Sequence, residues 1–167
     1  MSLLAVPPLT RQALHPGELL RQVVAGVDWQ SQVRYDANER WFTPLAVDDL
    51  VDGIAVEAWL LSWLPGQRTG LHDHGGSAGA FAVVRGALRE DTVQTPAGAP
   101  PRLHHQTFQT GQRRPFGPRH LHEVVNDGDV PAVSIHVYAP RLARMTRYQW
   151  TANGPEIVAV ENAGTDW

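Results

Sequence analysis

Gly66-Gln67-Arg68-Thr69-Gly70-Leu71-His72-Asp73-His74 is the stretch on which the reading of this chain turns. Two histidines one residue apart on a strand project from the same face, because strand side chains alternate. Imidazole nitrogens gathered on one face are what a divalent transition metal needs. Pro65 and the glycines ahead of the pair predict a turn that feeds a strand. The window that follows, Gly75-Gly76-Ser77-Ala78-Gly79, holds no carboxylate. Taken alone, the pair also reads as two partly exposed strand histidines, so the metal reading needs a third ligand from elsewhere.

Composition sets the bounds around this stretch. At 167 residues the chain has the length of a single domain, and 43% apolar residues are enough for a core. A net charge of -3, with the charges interspersed, offers neither a basic block for nucleic acid nor an acidic tail. No apolar run approaches the length of a membrane span. The first eight residues lack the charged start and long apolar centre of a signal peptide, so a cytoplasmic location is expected. The absence of cysteine excludes disulfides and thiolate ligands.

Fifteen glycines and 13 prolines break the chain too often for long helices. The clearest helical reading lies in residues 9–27. Pro16-Gly17-Glu18 starts it, Leu19, Leu20, Val23 and Val24 form its apolar stripe, and Gly26 ends it. Residues 28–40 read as a second short helix or an irregular wrap. From Trp41 onward, strand-like segments alternate with turns about every ten residues, which predicts an all-β sandwich or small barrel. Residues 1–40 are thus expected as a helical segment and 41–160 as the β domain. Asn126-Asp127-Gly128-Asp129 has the composition of a hairpin turn. Residues 140–148 read as a basic loop or short helix across one mouth of the shell, and the last fifteen residues carry no clear signal.

Two later stretches bear chemistry. In Pro115-Phe116-Gly117-Pro118-Arg119-His120-Leu121-His122-Glu123-Val124-Val125-Asn126, both His120 and His122 are candidates for the third ligand. On a strand the two share a face, so periodicity does not choose between them. In Ser134-Ile135-His136-Val137-Tyr138, alternation puts Ser134, His136 and Tyr138 on one face. Such a row can relay hydrogen bonds from hydroxyl to imidazole to phenol. It also reads as the solvent side of an ordinary antiparallel strand. Three histidines with open positions suit iron, and equally zinc, nickel, manganese or copper.

The G-x5-H-x-H pattern resembles the first motif of the cupin superfamily, without the glutamate that usually follows it. Leu121-His122-Glu123-Val124-Val125-Asn126 is similar to the L-H-x-V-x-N string of the thiol dioxygenases. The run 131–140, Pro-Ala-Val-Ser-Ile-His-Val-Tyr-Ala-Pro, resembles the P-A-V-S-x-H-x-Y-x-P string of cysteine dioxygenases. The resemblance implies a cupin-type jelly-roll barrel with short N-terminal helices, built as a monomer or weak homo-oligomer. It implies one non-haem Fe(II) per chain on His72, His74 and His122, with Ser134, His136 and Tyr138 beside it. The implied reaction adds both atoms of O2 to the sulfur of a small thiol, L-cysteine or mercaptopropionate, and gives a sulfinic acid. Another metal-dependent cupin enzyme, or a cupin that only binds a small ligand, is the alternative.

Two departures from the family pattern matter. Gly79 stands where animal cysteine dioxygenases carry a cysteine joined to the tyrosine, so Tyr138 cannot form that link. Phe42-Thr43-Pro44 stands where cysteine-specific members carry an arginine after Tyr-Thr. Mercaptopropionate dioxygenases resemble this chain in placing an arginine about nine residues after the tyrosine. That resemblance makes Arg147 the candidate clamp for a substrate carboxylate, which a guanidinium holds by two parallel hydrogen bonds. The plain alternative for Arg141, Arg144 and Arg147 is a solvated basic surface.

Overall fold

The computed structural model describes residues 15–48 and 50–166. Its helix, α1 (Pro16–Gly26), begins where the capping chemistry places it. His15 accepts the Gly17 N–H through Nδ1, and Pro16 occupies the first turn, where a missing N–H costs nothing. Glu18 sits in the same turn, bonded to Arg21 and Gln22. Leu19, Leu20 and Val23 are the buried stripe. A 3-10 turn at Gln30–Gln32 follows, so the region expected as a second helix or wrap is mostly an irregular wrap. The expected helical residues 9–14 lie outside the described part of the chain.

Thirteen strands follow among the described residues. In chain order they are β1 (Phe42–Leu45), β2 (Leu50–Val51), β3 (Ile54–Ala55), β4 (Glu57–Trp63), β5 (Leu71–Asp73), β6 (Ala78–Arg85) and β7 (Ala87–Gln94). Then come β8 (Arg102–Gln109), β9 (Arg113–Phe116), β10 (His122–Val125), β11 (Ala132–Ala139), β12 (Arg144–Thr151) and β13 (Gly154–Asn162). Five form a sheet in the order β1-β4-β11-β6-β9, and six form a second in the order β13-β12-β5-β10-β7-β8. The short β2 and β3 pair only with each other. The all-β expectation therefore holds, but the expected barrel is not a closed ring of hydrogen bonds.

Among the described residues the chain passes from one sheet to the other seven times, at residues 64–70, 74–77, Gly86, 110–112, 117–121, 126–131 and 140–143. β1 and β9 are the outer strands of one sheet and β13 and β8 of the other, so both sheets keep free edges among the described residues. Gly86 makes the β6-to-β7 passage at a φ of +74°, and a Cβ there would come within 2.9 Å of the Pro131 carbonyl oxygen. No other residue type fits so easily.

Strand parity divides the apolar residues between two cores. Leu60, Ala80, Ala82, Ile135 and Val137 point outward from the five-stranded sheet, and α1 covers them with its stripe. The alanines leave room for the helix to approach. Leu61, Trp63, Phe81, Val83, Leu88, Phe108 and Val124 fill the space between the sheets.

Two expectations need correction. Residues 126–129 turn the chain as expected, but β10 and β11 belong to different sheets, so the turn is a crossing and not a hairpin. Asn126 pins it from a buried position. Its amide donates to the carbonyls of Trp63 and Val130, and its oxygen accepts the Gly128 N–H. Most of the stretch 140–148, expected as a loop or short helix, belongs to β12 (Arg144–Thr151), which pairs with both β5 and β13. Ala152-Asn153, with Gly154 opening the next strand, turns β12 into β13 at the edge of the stretch that carried no clear signal. The arginines masked β12: they suggested surface, while Thr146, Tyr148 and Trp150 carry the strand preference.

Asn126→Ala would leave the Trp63 carbonyl buried without its partner and free the crossing turn. A loss of about 2 kcal/mol in unfolding free energy is expected, at the usual cost of an orphaned buried polar group. Urea denaturation monitored by tryptophan fluorescence checks it.

Candidate metal centre

β5 and β10 are neighbours in the middle of the six-stranded sheet, and His122 is the direct partner of His72. Cross-strand partners project from one face. Their rings lie 4.8 Å apart, centre to centre. His74 follows the end of β5, with its ring 5.0 Å from each of the other two. One ligand nitrogen from each of the three histidines lies within 4.8 Å of the other two. The structure thus brings together the three residues that the sequence nominated. It sets His120 apart, because β10 begins at His122 and His120 lies in the turn before it.

The donor set suits a transition metal. His72 Nδ1 lies 2.9 Å from the Gly70 carbonyl, which makes it the N–H and leaves Nε2 as a free lone pair. His122 Nδ1 lies 2.7 Å from Glu90 Oε1, with the same consequence. Both ring nitrogens of His74 are buried without a hydrogen-bond partner. Orphaned buried polar atoms are costly, and a metal ion between the three rings gives the His74 lone pair a partner. Burial holds all three imidazoles below the ordinary histidine range. Neighbouring imidazoles push His72 and His74 further down, whereas Glu90 pulls His122 back up. At neutral pH all three are in the uncharged form that binds a metal.

The five-stranded sheet supplies the opposite wall. β11 is buried along its whole length, with Val133, Ile135 and Val137 turned to α1 and His136 and Tyr138 facing the histidines. The solvent-side reading of this strand therefore fails. Trp63 Nε1 donates to Ser134 Oγ, and Ser134 Oγ lies 2.9 Å from His136 Nε2. With its oxygen accepting from Trp63, the hydroxyl donates to the imidazole. His136 also stacks on Phe81. Among the described hydrogen bonds none joins His136 to the Tyr138 phenol, so the row relays from indole to hydroxyl to imidazole and ends there. Burial lowers the His136 pKa to about 3 and pushes the Tyr138 phenol well above its usual value. Tyr138 stays protonated at neutral pH and remains a donor. Its ring centre is 5.2 Å from that of His74.

Gly79 is the cross-strand partner of Tyr138. A Cβ at Gly79 would lie 2.6 Å from the Val137 carbonyl oxygen and 2.7 Å from the Phe116 ring. The aromatic ring fills the place where a longer side chain would reach the phenol.

Between the sheets lies a cavity of about 230 Å³, lined by His72, His122, His136, Tyr138, Arg40 and Arg147 among others. At roughly 30 Å³ per water-sized group, it admits only a small molecule. The two arginines differ. Arg147, the partner of His72 across β12, donates through Nε and Nη2 to Glu161 and through Nη1 to the Thr69 carbonyl. Its charge is already paired. Arg40 stacks its guanidinium 5.0 Å from the Trp63 ring centre, and its Nε is buried without a partner. Burial, against the nearby Tyr138, lowers its pKa to about 10, so it still carries its charge. Sequence reasoning missed Arg40 because it counted to Pro44. The signal was the shared parity of Arg40 and Phe42, both of which face the cavity.

The family model for cysteine dioxygenase type I matches residues 22–151. The chain belongs to that family. No protein with a curated description matches it. Among solved structures, the TT1209 protein of Thermus thermophilus is 23% identical, covering 68% of this chain and 95% of that one, with a TM-score of 0.53. A Klebsiella pneumoniae protein with a double-stranded β-helix domain is 19% identical, covering 66% and 80%, with a TM-score of 0.51. An oxalate oxidase is 18% identical, covering 74% and 56%, with a TM-score of 0.52. At these identities the likeness is one of fold: two facing antiparallel sheets of the cupin type. Together with the histidine cluster, the family makes this a metal-dependent cupin of the cysteine dioxygenase kind. No helix among the described residues is long and apolar enough to cross a membrane.

The buried imidazoles make stability depend on pH. Their pKa values in the fold lie below the value of about 6.5 of the unfolded chain, so below that pH the unfolded state binds more protons. Stability is therefore full above about pH 6.5 and falls as the pH drops toward 4, by up to roughly 1.4 kcal/mol per pH unit for each such group. Urea midpoints of the metal-free protein at pH 7.5 and pH 5.5 test this. The lower pH is expected to give the lower midpoint.

Proposed function

We propose that this protein is an iron thiol dioxygenase that converts a small thiol bearing a carboxylate, cysteine or mercaptopropionate, to its sulfinic acid. The observation that carries the reading is the pairing of three neutral, buried imidazoles with Arg40, which has no ion-pair partner among the described residues, in one small cavity. His72, His74 and His122 hold the metal and bring no negative charge to it, which leaves that charge to be supplied by a substrate thiolate. Fe(II), when bound, supplies the activation of O2 and the attachment point for sulfur.

The rest of the work belongs to the chain. Arg40 holds the substrate carboxylate, with its flat guanidinium kept in place by the Trp63 face. This assigns to Arg40 the clamp expected of Arg147, whose donors are already taken by Glu161 and Thr69. Arg147, paired with Glu161, closes the same wall. Tyr138 donates its phenolic hydrogen into the cavity. Ser134, anchored by Trp63, fixes His136 against Phe81, and His136 lines the same cavity as Tyr138. The apolar neighbours Leu61 and Leu142 limit water in the cavity.

O2 uptake by the iron-loaded protein with cysteine, mercaptopropionate, cysteamine and no thiol tests the reading. Uptake is expected with the two carboxylate thiols, with product mass raised by two oxygens, and at least about tenfold less with cysteamine. Arg40→Gln is expected to raise KM for the carboxylate thiols about 10- to 100-fold, the worth of a charge-assisted pair, and to leave cysteamine turnover unchanged. Absence of thiol-dependent uptake from iron-loaded protein would refute the function. An Arg147→Gln variant carrying the KM defect instead would return the clamp to Arg147.

A further inference from the structure

Glu90, on β7, is an acid with about 1% of its surface exposed, and it is not among the three converging histidines. It shares the inward parity of β7 with Leu88, which is fully buried. A carboxylate in such a place is costly unless its oxygens are satisfied. Three donors satisfy it. Oε1 accepts from His122 Nδ1 at 2.7 Å and from His120 Nε2 at 2.7 Å, and Oε2 accepts from Arg114 Nε at 3.0 Å. Two imidazoles and a guanidinium on its two oxygens form the donor set that an ionised carboxylate, which only accepts, requires.

The three candidate ligands therefore have unlike partners behind them. His72 is backed by a neutral carbonyl, His74 by nothing, and His122 by a buried carboxylate. A carboxylate draws on the Nδ1 proton more strongly than a carbonyl, and this increases electron density at Nε2 of the same ring. We propose that Glu90 is a positioning residue of the metal centre, acting through His122. It fixes the Nδ1–H tautomer, aims Nε2 at the site, and lends anionic character to an otherwise neutral ligand set. His120 shares the same oxygen and stacks on Phe116 at 4.9 Å, which holds the carboxylate from the solvent side. Arg114 balances the charge from the other oxygen. The inference rests on the reading that His72, His74 and His122 hold a metal.

Glu90, His120 and His122 are themselves close enough to be considered a second cation site. Two observations weigh against it. Their polar atoms are already joined by 2.7 Å hydrogen bonds, and the Arg114 guanidinium sits on the remaining oxygen.

Co(II) titration of wild type and Glu90→Gln, together with nitrogen-15 NMR of the histidine rings in the metal-free wild type, tests the proposal. Wild type is expected to bind one Co(II) per chain, with His122 as the Nδ1–H tautomer before metal is added. Glu90→Gln is expected to weaken Co(II) binding about 10- to 100-fold and to shift the visible Co(II) bands, with unfolding still cooperative. Equal affinity and equal bands in the variant would overturn it, as would an Nε2–H tautomer at His122. A second Co(II) per chain, lost in the variant, would make Glu90 a ligand and overturn it too. Wild type that bound no Co(II) would count against the metal reading, whereas the tautomer measurement judges Glu90 even then, and even if Glu90→Gln fails to fold.

Discussion

The pairing of His122 with His72 across two adjacent strands is the contact around which this site is organised. It sets two imidazoles side by side on the inner face of a sheet, where water is scarce. Burial then does the electrostatic work, because a charged imidazole is disfavoured there and the ligand form is populated at neutral pH. The pairing depends on the β5–β10 register. A slip of one residue would turn either histidine to the outer face.

That register is maintained from several directions. β5 is held on its other side by β12, where Arg147 faces His72 and reaches back to Thr69. β10 is held by β7, whose Glu90 grips the ring of His122 itself. At the end of β10, Asn126 ties the crossing turn to the carbonyl of Trp63 on the opposite sheet. Trp63 in turn carries Ser134 and lies under Arg40. One indole thus links the sheet crossing, the β11 row and the cavity's unpaired charge. The polar groups between the sheets form a connected set rather than isolated exceptions in an apolar core, which is how buried polarity is tolerated.

Much of the β architecture was legible because strand parity is a local property. The H-x-H pair, the L-H-x-V-x-N string and the alternation of Ser134, His136 and Tyr138 need only a pleat to be read. The α1 boundaries follow from Pro16 and Gly26 for a similar reason, since start and stop signals act within one turn. Other features stayed hidden. Residues 140–148 read as a basic loop or short helix because their arginines resemble surface residues, although Arg147 is paired inside the wall. Residues 126–129 have turn chemistry, but nothing in four residues says whether the next strand returns to the same sheet. The jelly roll was expected as a barrel, and whether its sheets join depends on edge contacts far apart in the chain.

Local alternation is sufficient to say which side chains share a face, and hence that histidines, a phenol and a hydroxyl stand in rows. It says nothing of distance between rows on different strands. Convergence of His72, His74 and His122, and the face-to-face placement of His136 and Tyr138, required the register of two sheets and the seven passages between them. The same holds for charge. Arg40 and Arg147 are equal as letters, and only folding pairs one with Glu161 and leaves the other's Nε unpartnered against an aromatic ring. Glu90 carries no local signal in the sequence, and only burial puts it behind a candidate ligand. Periodicity acts between neighbours in the chain, whereas pairing, burial and electrostatic partnership act between neighbours in space.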